Sequence, residues 1–161
     1  MNKLLTGLCI LFLLVGCSNK NKTETTVCSF KNLDIIENTF EIEANKNDVT
    51  KMTETLKVTR DPKVNVVEFT TKTKSLVAAV DAQNSMFESK AGGKIPGYET
   101  KVTDTDDLFE FIKIQDFSKI DFDIMNKIQF YNGYDREVKG LFLDEEVEAL
   151  EANGFTCTVQ K

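Results

Sequence analysis

The feature that most limits how this chain can fold is a change of apolar period at Asp61-Pro62. Before it, Ile36, Phe40, Ile42 and Ala44 alternate with Glu37, Thr39, Glu41 and Glu43; after Asn45-Lys46-Asn47-Asp48, Met52, Leu56 and Val58 alternate with Lys51, Thr53, Thr55, Lys57 and Thr59. Period two with one apolar side is the mark of a half-buried strand. Residues 35–44 and 49–59 therefore form a hairpin covered on one face. Beyond Asp61-Pro62, which stops the sheet, Val66, Phe69, Thr73, Leu76, Val77, Val80 and Phe87 recur at threes and fours, the stripe of an amphipathic helix. The Val-rich start of this segment also suits a strand, so 75–90 is the firm part of the helix, closed by Gly92-Gly93 where positive φ is easily adopted.

The remaining segments extend the same plan. Residues 27–32 form a first strand with Cys28 and Phe30 on one face, and 98–103 and 108–115 a second hairpin around Asp104-Thr105-Asp106-Asp107. Residues 116–128 are ambiguous, with Ile120, Ile124 and Ile128 at fours favouring a short helix. Asn132-Gly133 is a turn signal. Asp144 reads as the N-cap of a last helix with Glu145 and Glu146 in its first turn. Gly154 reads as its C′ residue, with Phe155 packing on Leu150. Phe155, Cys157 and Val159 then alternate into a terminal strand. The expected fold is α+β: an antiparallel sheet built from hairpins, packed against a long central helix and a short C-terminal helix, as one domain over 27–161.

The N-terminus reads as an address. Met1-Asn2-Lys3 precedes an apolar run from Leu4, and the fourteen residues to Cys17 fall short of the about 20 needed to span a bilayer. This is the plan of a signal peptide over 1–16. Leu14-Val15-Gly16-Cys17 looks like the lipobox of bacterial lipoproteins, with cleavage between Gly16 and Cys17 and a diacylglyceryl group on the Cys17 thiol. A lipidated cysteine and flexible polar tether follow over 17–26. The chain is then held at the extracytoplasmic face of a bacterial membrane, and two acyl chains make residence stable where one does not.

The lipobox, the Cys28-Ser29-Phe30 start, hairpins either side of a long helix, and the closing Leu150-Glu151-Ala152-Asn153-Gly154-Phe155 together resemble the YehR-like family of small bacterial lipoproteins, whose function is unknown. The resemblance implies an α+β domain and names no ligand.

Composition narrows the chemistry. Loss of Lys3 with the leader leaves 19 basic residues against 26 acidic ones, a net charge of −7 with no basic cluster, a poor match to nucleic acid. The absence of histidine removes His-dependent triads and His-ligated metal sites. Of the four cysteines, Cys9 leaves with the leader and Cys17 takes the lipid. Cys28 and Cys157 then remain, to pair in an oxidising compartment or to stay as two buried thiols.

Other candidate sites have plainer readings. Asp104, Asp106 and Asp107 lack the Gly and Glu spacing of a calcium loop, where Phe109 and Gln115 stand instead. Gly92-Gly93-Lys94 lacks the flanking residues of a phosphate loop. The Thr and Lys face of 49–59 suits contact with a wall polymer or simple solvation. The densest aromatic group, Phe109, Phe111, Phe117, Phe122, Phe130, Tyr131 and Tyr134, would line an apolar pocket or fill the core of a chain without Trp. The expectation is a binding or envelope-associated module with no cofactor and no catalytic residue, its partner a protein or small molecule. The alternatives are a purely structural or interaction protein of the envelope and a carboxylate-dependent hydrolase.

Overall fold

The computed structural model describes residues 23–134 and 136–160. The leader, the Gly16–Cys17 junction and the start of the tether lie outside them. The elements are β1 (Thr23–Asn32), β2 (Ile36–Asn45), β3 (Asp48–Thr59), α1 (Val66–Ala91), β4 (Tyr98–Asp104), β5 (Leu108–Asp116), α2 (Phe122–Lys127), α3 (Leu143–Ala152) and β6 (Thr156–Gln160). Six strands form one antiparallel sheet in the order β4-β5-β3-β2-β1-β6. Because β3 and β4 each pair antiparallel with β5, they run parallel, and α1 makes the crossover between them. The fold is α+β, with a long helix and a short C-terminal helix on one face of the sheet.

Register explains which face is covered. Thr26, Cys28 and Phe30 of β1 stand opposite Ile42, Phe40 and Asn38 of β2, which in turn stand opposite Met52, Glu54 and Leu56 of β3. Those lie opposite Gln115, Lys113 and Phe111 of β5, and then Tyr98, Thr100 and Val102 of β4. The other face carries Thr25, Thr39, Thr53 and Thr55 with cross-strand pairs such as Lys51–Glu43 at 3.1 Å and Lys57–Glu110 at 3.4 Å. Such half-exposed pairs contribute little to stability and mark this as the solvated face.

Local chemistry sets the boundaries, and three differ from expectation. First, α1 begins at Val66 because the Asn65 side chain accepts the Glu68 N–H at 2.8 Å, so the Val-rich opening is helix rather than strand. Second, β1 begins at Thr23, since Thr23 and Glu24 pair with Asn45 and Ala44, so four residues assigned to the tether belong to the sheet. Third, Asp144 is not the N-cap of α3. Phe142 holds that position without a side-chain cap, and the service comes from the β2–β3 turn, where Asn47 Oδ1 accepts the Asp144 N–H at 3.1 Å. The Asn47 backbone carbonyl also accepts the Leu143 N–H at 2.8 Å.

Asn47 Nδ2 donates to the Asp144 carboxylate at 2.8 Å, and this bond holds that carboxyl below its usual range. A carboxyl depressed in the folded state adds stability above its unfolded pKa and loses it as pH falls through the folded one. Asn47→Ala is expected to lower Tm by about 3 °C, the effect of losing one helix cap in a domain of this size. NMR titration of Asp144 in the same variant is expected to show its pKa moving upward.

The end of α3 follows the sequence closely. Gly154 is left-handed at φ 88°, its N–H reaches the Glu151 carbonyl, and the Phe155 N–H reaches the Leu150 carbonyl at 3.1 Å, a Schellman ending. At the start of β4, Gly97 has φ 80°, and a Cβ there would stand 2.5 Å from the Asp116 carbonyl oxygen, so only glycine fits.

Two clusters make the core. Cys28, Ile42, Val49, Met52, Val138 and Leu141 pack beneath α3; Phe87, Ile95, Ile120, Met125 and Ile128 pack beneath the end of α1 and α2. Phe117, Phe122 and Tyr131 touch both. Cys28 and Cys157 face each other across β1 and β6 and are joined by a disulfide.

Candidate functional site

The helices do not close the covered face completely. α1 lies over the β4 edge and α3 over β1 and β6. Between α1 and the middle of the sheet runs a cleft of about 350 Å³, walled by Leu76, Ala79, Val80 and Gln83 and floored by Leu56, Phe109 and Phe111. It exists because the inner stripe of α1 buries Phe69, Thr73 and Phe87 at its two ends, while Leu76 in between remains 44% exposed.

One step along the strands, the inner face changes character. Alternation places Glu54 and Lys113 on the same inner face as Leu56 and Phe111, and they pair at 2.5 Å with side chains only 16% and 26% exposed. Asn38, directly opposite Leu56, donates Nδ2 to Glu54 at 3.4 Å, while its buried Oδ1 has no partner. Asn84 of α1 donates to Thr100 at 2.7 Å and accepts from the Tyr98 hydroxyl at 3.2 Å, at a separate hollow between the end of α1 and β4. Burial, helped by the Glu54 charge, pushes the Tyr98 phenol up to about 12. It is therefore a neutral hydrogen-bonding group at any physiological pH. The cleft itself is lined by apolar side chains with Gln83 as its polar group, and the compensated charge pair lies next to it on the same inner face of β3 and β5. That combination suits binding and orientation of an amphipathic molecule. Glu54 faces a lysine rather than a second carboxyl, so the spot is not the facing pair that carboxylate hydrolysis uses.

The seven aromatic residues singled out in the sequence divide. Phe109 and Phe111 reach the cleft, Phe109 as a fully packed side chain with 1% exposure. The other five form a chain of rings between the two cores: Phe117 stacks on Phe122 at 5.9 Å, Phe122 on Tyr131 at 6.1 Å, and Tyr131 meets Phe130 at 5.0 Å and Tyr134 at 5.9 Å. Tyr131 donates to the buried Gln115 at 3.2 Å, and Tyr134 donates to Glu146 at 2.5 Å. Burial raises the pKa of both phenols and of Glu146, despite the Tyr134 bond that favours the Glu146 carboxylate. These rings are packing and bridging groups. Gln83 in the cleft and the polar residues near it on the inner face, Asn38, Glu54, Asn84, Thr100 and Lys113, are absent from the sequence-derived set. Parity alone carried a signal for Glu54, between Met52 and Leu56 on the inner side.

An open antiparallel sheet of six strands with a long crossover helix and a short terminal helix is also found in two solved bacterial proteins. The NMR structure of the Escherichia coli YehR protein is similar with a TM-score of 0.59, at 22% identity over 86% of this chain and 93% of that one. A protein from Streptococcus pneumoniae TIGR4 is similar with a TM-score of 0.54, at 15% identity over 98% of this chain and 96% of that one. At these identities the likeness is one of fold, and it agrees with the α+β domain that the YehR-like resemblance implies. No family model and no curated protein matches the chain.

Proposed function

We propose that this chain is a bacterial lipoprotein, anchored through Cys17 at the extracytoplasmic face of a membrane, whose domain binds an amphipathic small molecule between α1 and the sheet. The observation that carries the binding reading is the apolar cleft of Leu56, Phe109 and Phe111 beneath Leu76, Ala79 and Val80, with the Glu54–Lys113 pair next to it on the same sheet face. The charge pair already compensates itself, so a neutral hydroxyl-bearing head fits beside it better than an ion, which would meet one of the two charges unpaired. The anchoring reading rests on Leu14-Val15-Gly16-Cys17 and on the five polar residues, Ser18 to Lys22, before β1. Five residues reach at most about 17 Å, so the domain would work close to the membrane surface.

Two measurements test the two halves separately. Cys17→Ala is expected to move the protein from the membrane to the soluble fraction, and an unlipidated wild-type chain would refute the anchor. Titration with 1-decanol, followed by NMR shifts of Leu76, Phe109 and Phe111, is expected to saturate in the wild type and to fail in Ala79→Trp, which fills the cleft from an exposed helix position. Equal shifts in both proteins would refute the binding site and favour a purely structural or interaction role.

A further inference from the structure

The two edges of the sheet are unlike. β4 carries Glu99, Lys101 and Asp104, the charges that commonly protect an edge from pairing with another chain. β6, at the other edge, reads Thr156-Cys157-Thr158-Val159-Gln160 and has none. Its orientation leaves pairing groups free on the outer side. Cys28 and Cys157 are directly opposite with Cα atoms 3.9 Å apart, the close spacing of a non-hydrogen-bonded antiparallel pair. The N–H and C=O groups of Cys157, and of Val159 two residues on, therefore point away from β1 toward the open edge. Among the described residues no strand lies beyond β6.

Beside this edge, on the covered face, is a groove of about 300 Å³ lined by Leu143, Val147 and Val159 and framed by Asp144 and Glu151. Val159 is 61% exposed, a β-branched side chain standing in water where a neighbouring strand would cover it. The groove wall is negative. α3 carries five acidic residues and no basic one; Glu145 is engaged by Arg136 at 2.7 Å, Glu146 by Tyr134 and Asp144 by the neutral Asn47 amide at 2.8 Å, and of the five, Asp144 and Glu151 line the groove.

We propose that β6 and this groove form a strand-addition site for an extended, basic peptide segment of a partner protein. The segment pairs through its backbone with Cys157 and Val159, presents an apolar side chain to Val147 and Val159, and sets lysine or arginine against Asp144 and Glu151. The spacing agrees. Asp144 and Glu151 are separated by about 10 Å along the helix at 1.5 Å per residue. Same-face strand positions four apart span about 13 Å, within reach of flexible lysine stems. A basic–x–apolar–x–basic segment thus satisfies both ends with the apolar residue between them. A second copy of this chain fits less well, because symmetric pairing of β6 with β6 would bring two acidic α3 helices together. This inference is independent of the small-molecule cleft, which lies on the opposite half of the sheet.

The test uses the full chain in dodecyl maltoside micelles and a fluorescein-labelled peptide Lys-Thr-Val-Thr-Lys, read by anisotropy. Saturable binding is expected. A peptide with glutamate at both ends, and one N-methylated at the valine so that it cannot donate to the edge, are each expected to bind at least about tenfold more weakly. Glu151→Lys, at an exposed position, is expected to invert the preference between the lysine and glutamate peptides. Equal binding of the two, or undiminished binding of the methylated peptide, would overturn the proposal. So would a chain that sediments as a dimer and becomes monomeric in Val159→Lys, which would assign the edge to a second copy.

Discussion

Removing the bridge between Cys28 and Cys157, as a double alanine variant or by reduction, is expected to lower the unfolding free energy by about 3–5 kcal/mol. The two residues are 129 positions apart, so the bond closes almost the whole domain into one loop and removes many conformations from the unfolded chain. Its place in the fold adds a second effect. β6 has five residues and, among the described residues, pairs only with β1, with α3 the other element packed on it. The bridge ties this short edge to a strand that pairs on both sides. With total stabilities of about 5–15 kcal/mol for such domains, the loss is a large share. Urea unfolding of the reduced and oxidised protein measures it, and the reduced form is expected to show a larger m value because its unfolded state is more expanded. Hydrogen exchange separates the two effects: β6 amides are expected to lose protection before those of β3 and β5. Uniform loss across the sheet would assign the whole stabilisation to the unfolded chain.

Which parts of this fold were readable depended on how locally each was determined. The β2–β3 hairpin was plain because its apolar side is fixed by a period of two, and the Schellman ending of α3 because Gly154 and its neighbours supply all the bonds themselves. The start of α3 departs from the sequence expectation for the opposite reason. Asp144 has the right chemistry for a cap, but Asn47, 97 residues earlier, takes the role through tertiary contact. The Asn65 and Glu68 pair was a local signal that the run of valines obscured. In the aromatic region, Phe117 and Phe122 suit helix, strand or core, and only the packing of α2 between the two clusters decides that they stack on each other. The cleft was least legible. It depends on α1 lying over the β4 edge rather than the sheet centre, a distance between elements that no run of residues encodes. Its walls and floor are assembled from β3, β5 and α1, which are separated in the chain.

Phe109→Ala is the core substitution with the largest expected cost, about 3–5 kcal/mol. Phe109 is the largest fully buried side chain among the described residues, at 1% exposure, and stands on β5 opposite Val58. It lies where the sheet meets the middle of α1, beside Leu76 and Val80. Because the cleft is already open there, truncation enlarges an existing space instead of letting the core collapse around it, and the lost contacts are not recovered. Phe111, two residues on and half-buried on the same floor, provides the contrast. Its alanine variant leaves Phe109 and the helix seat in place and is expected to cost about half as much, with decanol binding lost. Phe109→Leu, which keeps most of the volume, is expected to restore the greater part of the stability. Denaturant titration of the three variants decides whether α1 is held by this one ring. If Phe109→Ala costs no more than Phe111→Ala, the seat of the helix is instead its two ends, where Phe69, Thr73 and Phe87 are buried. The middle of α1 would then be a span free to move over the cleft beneath it.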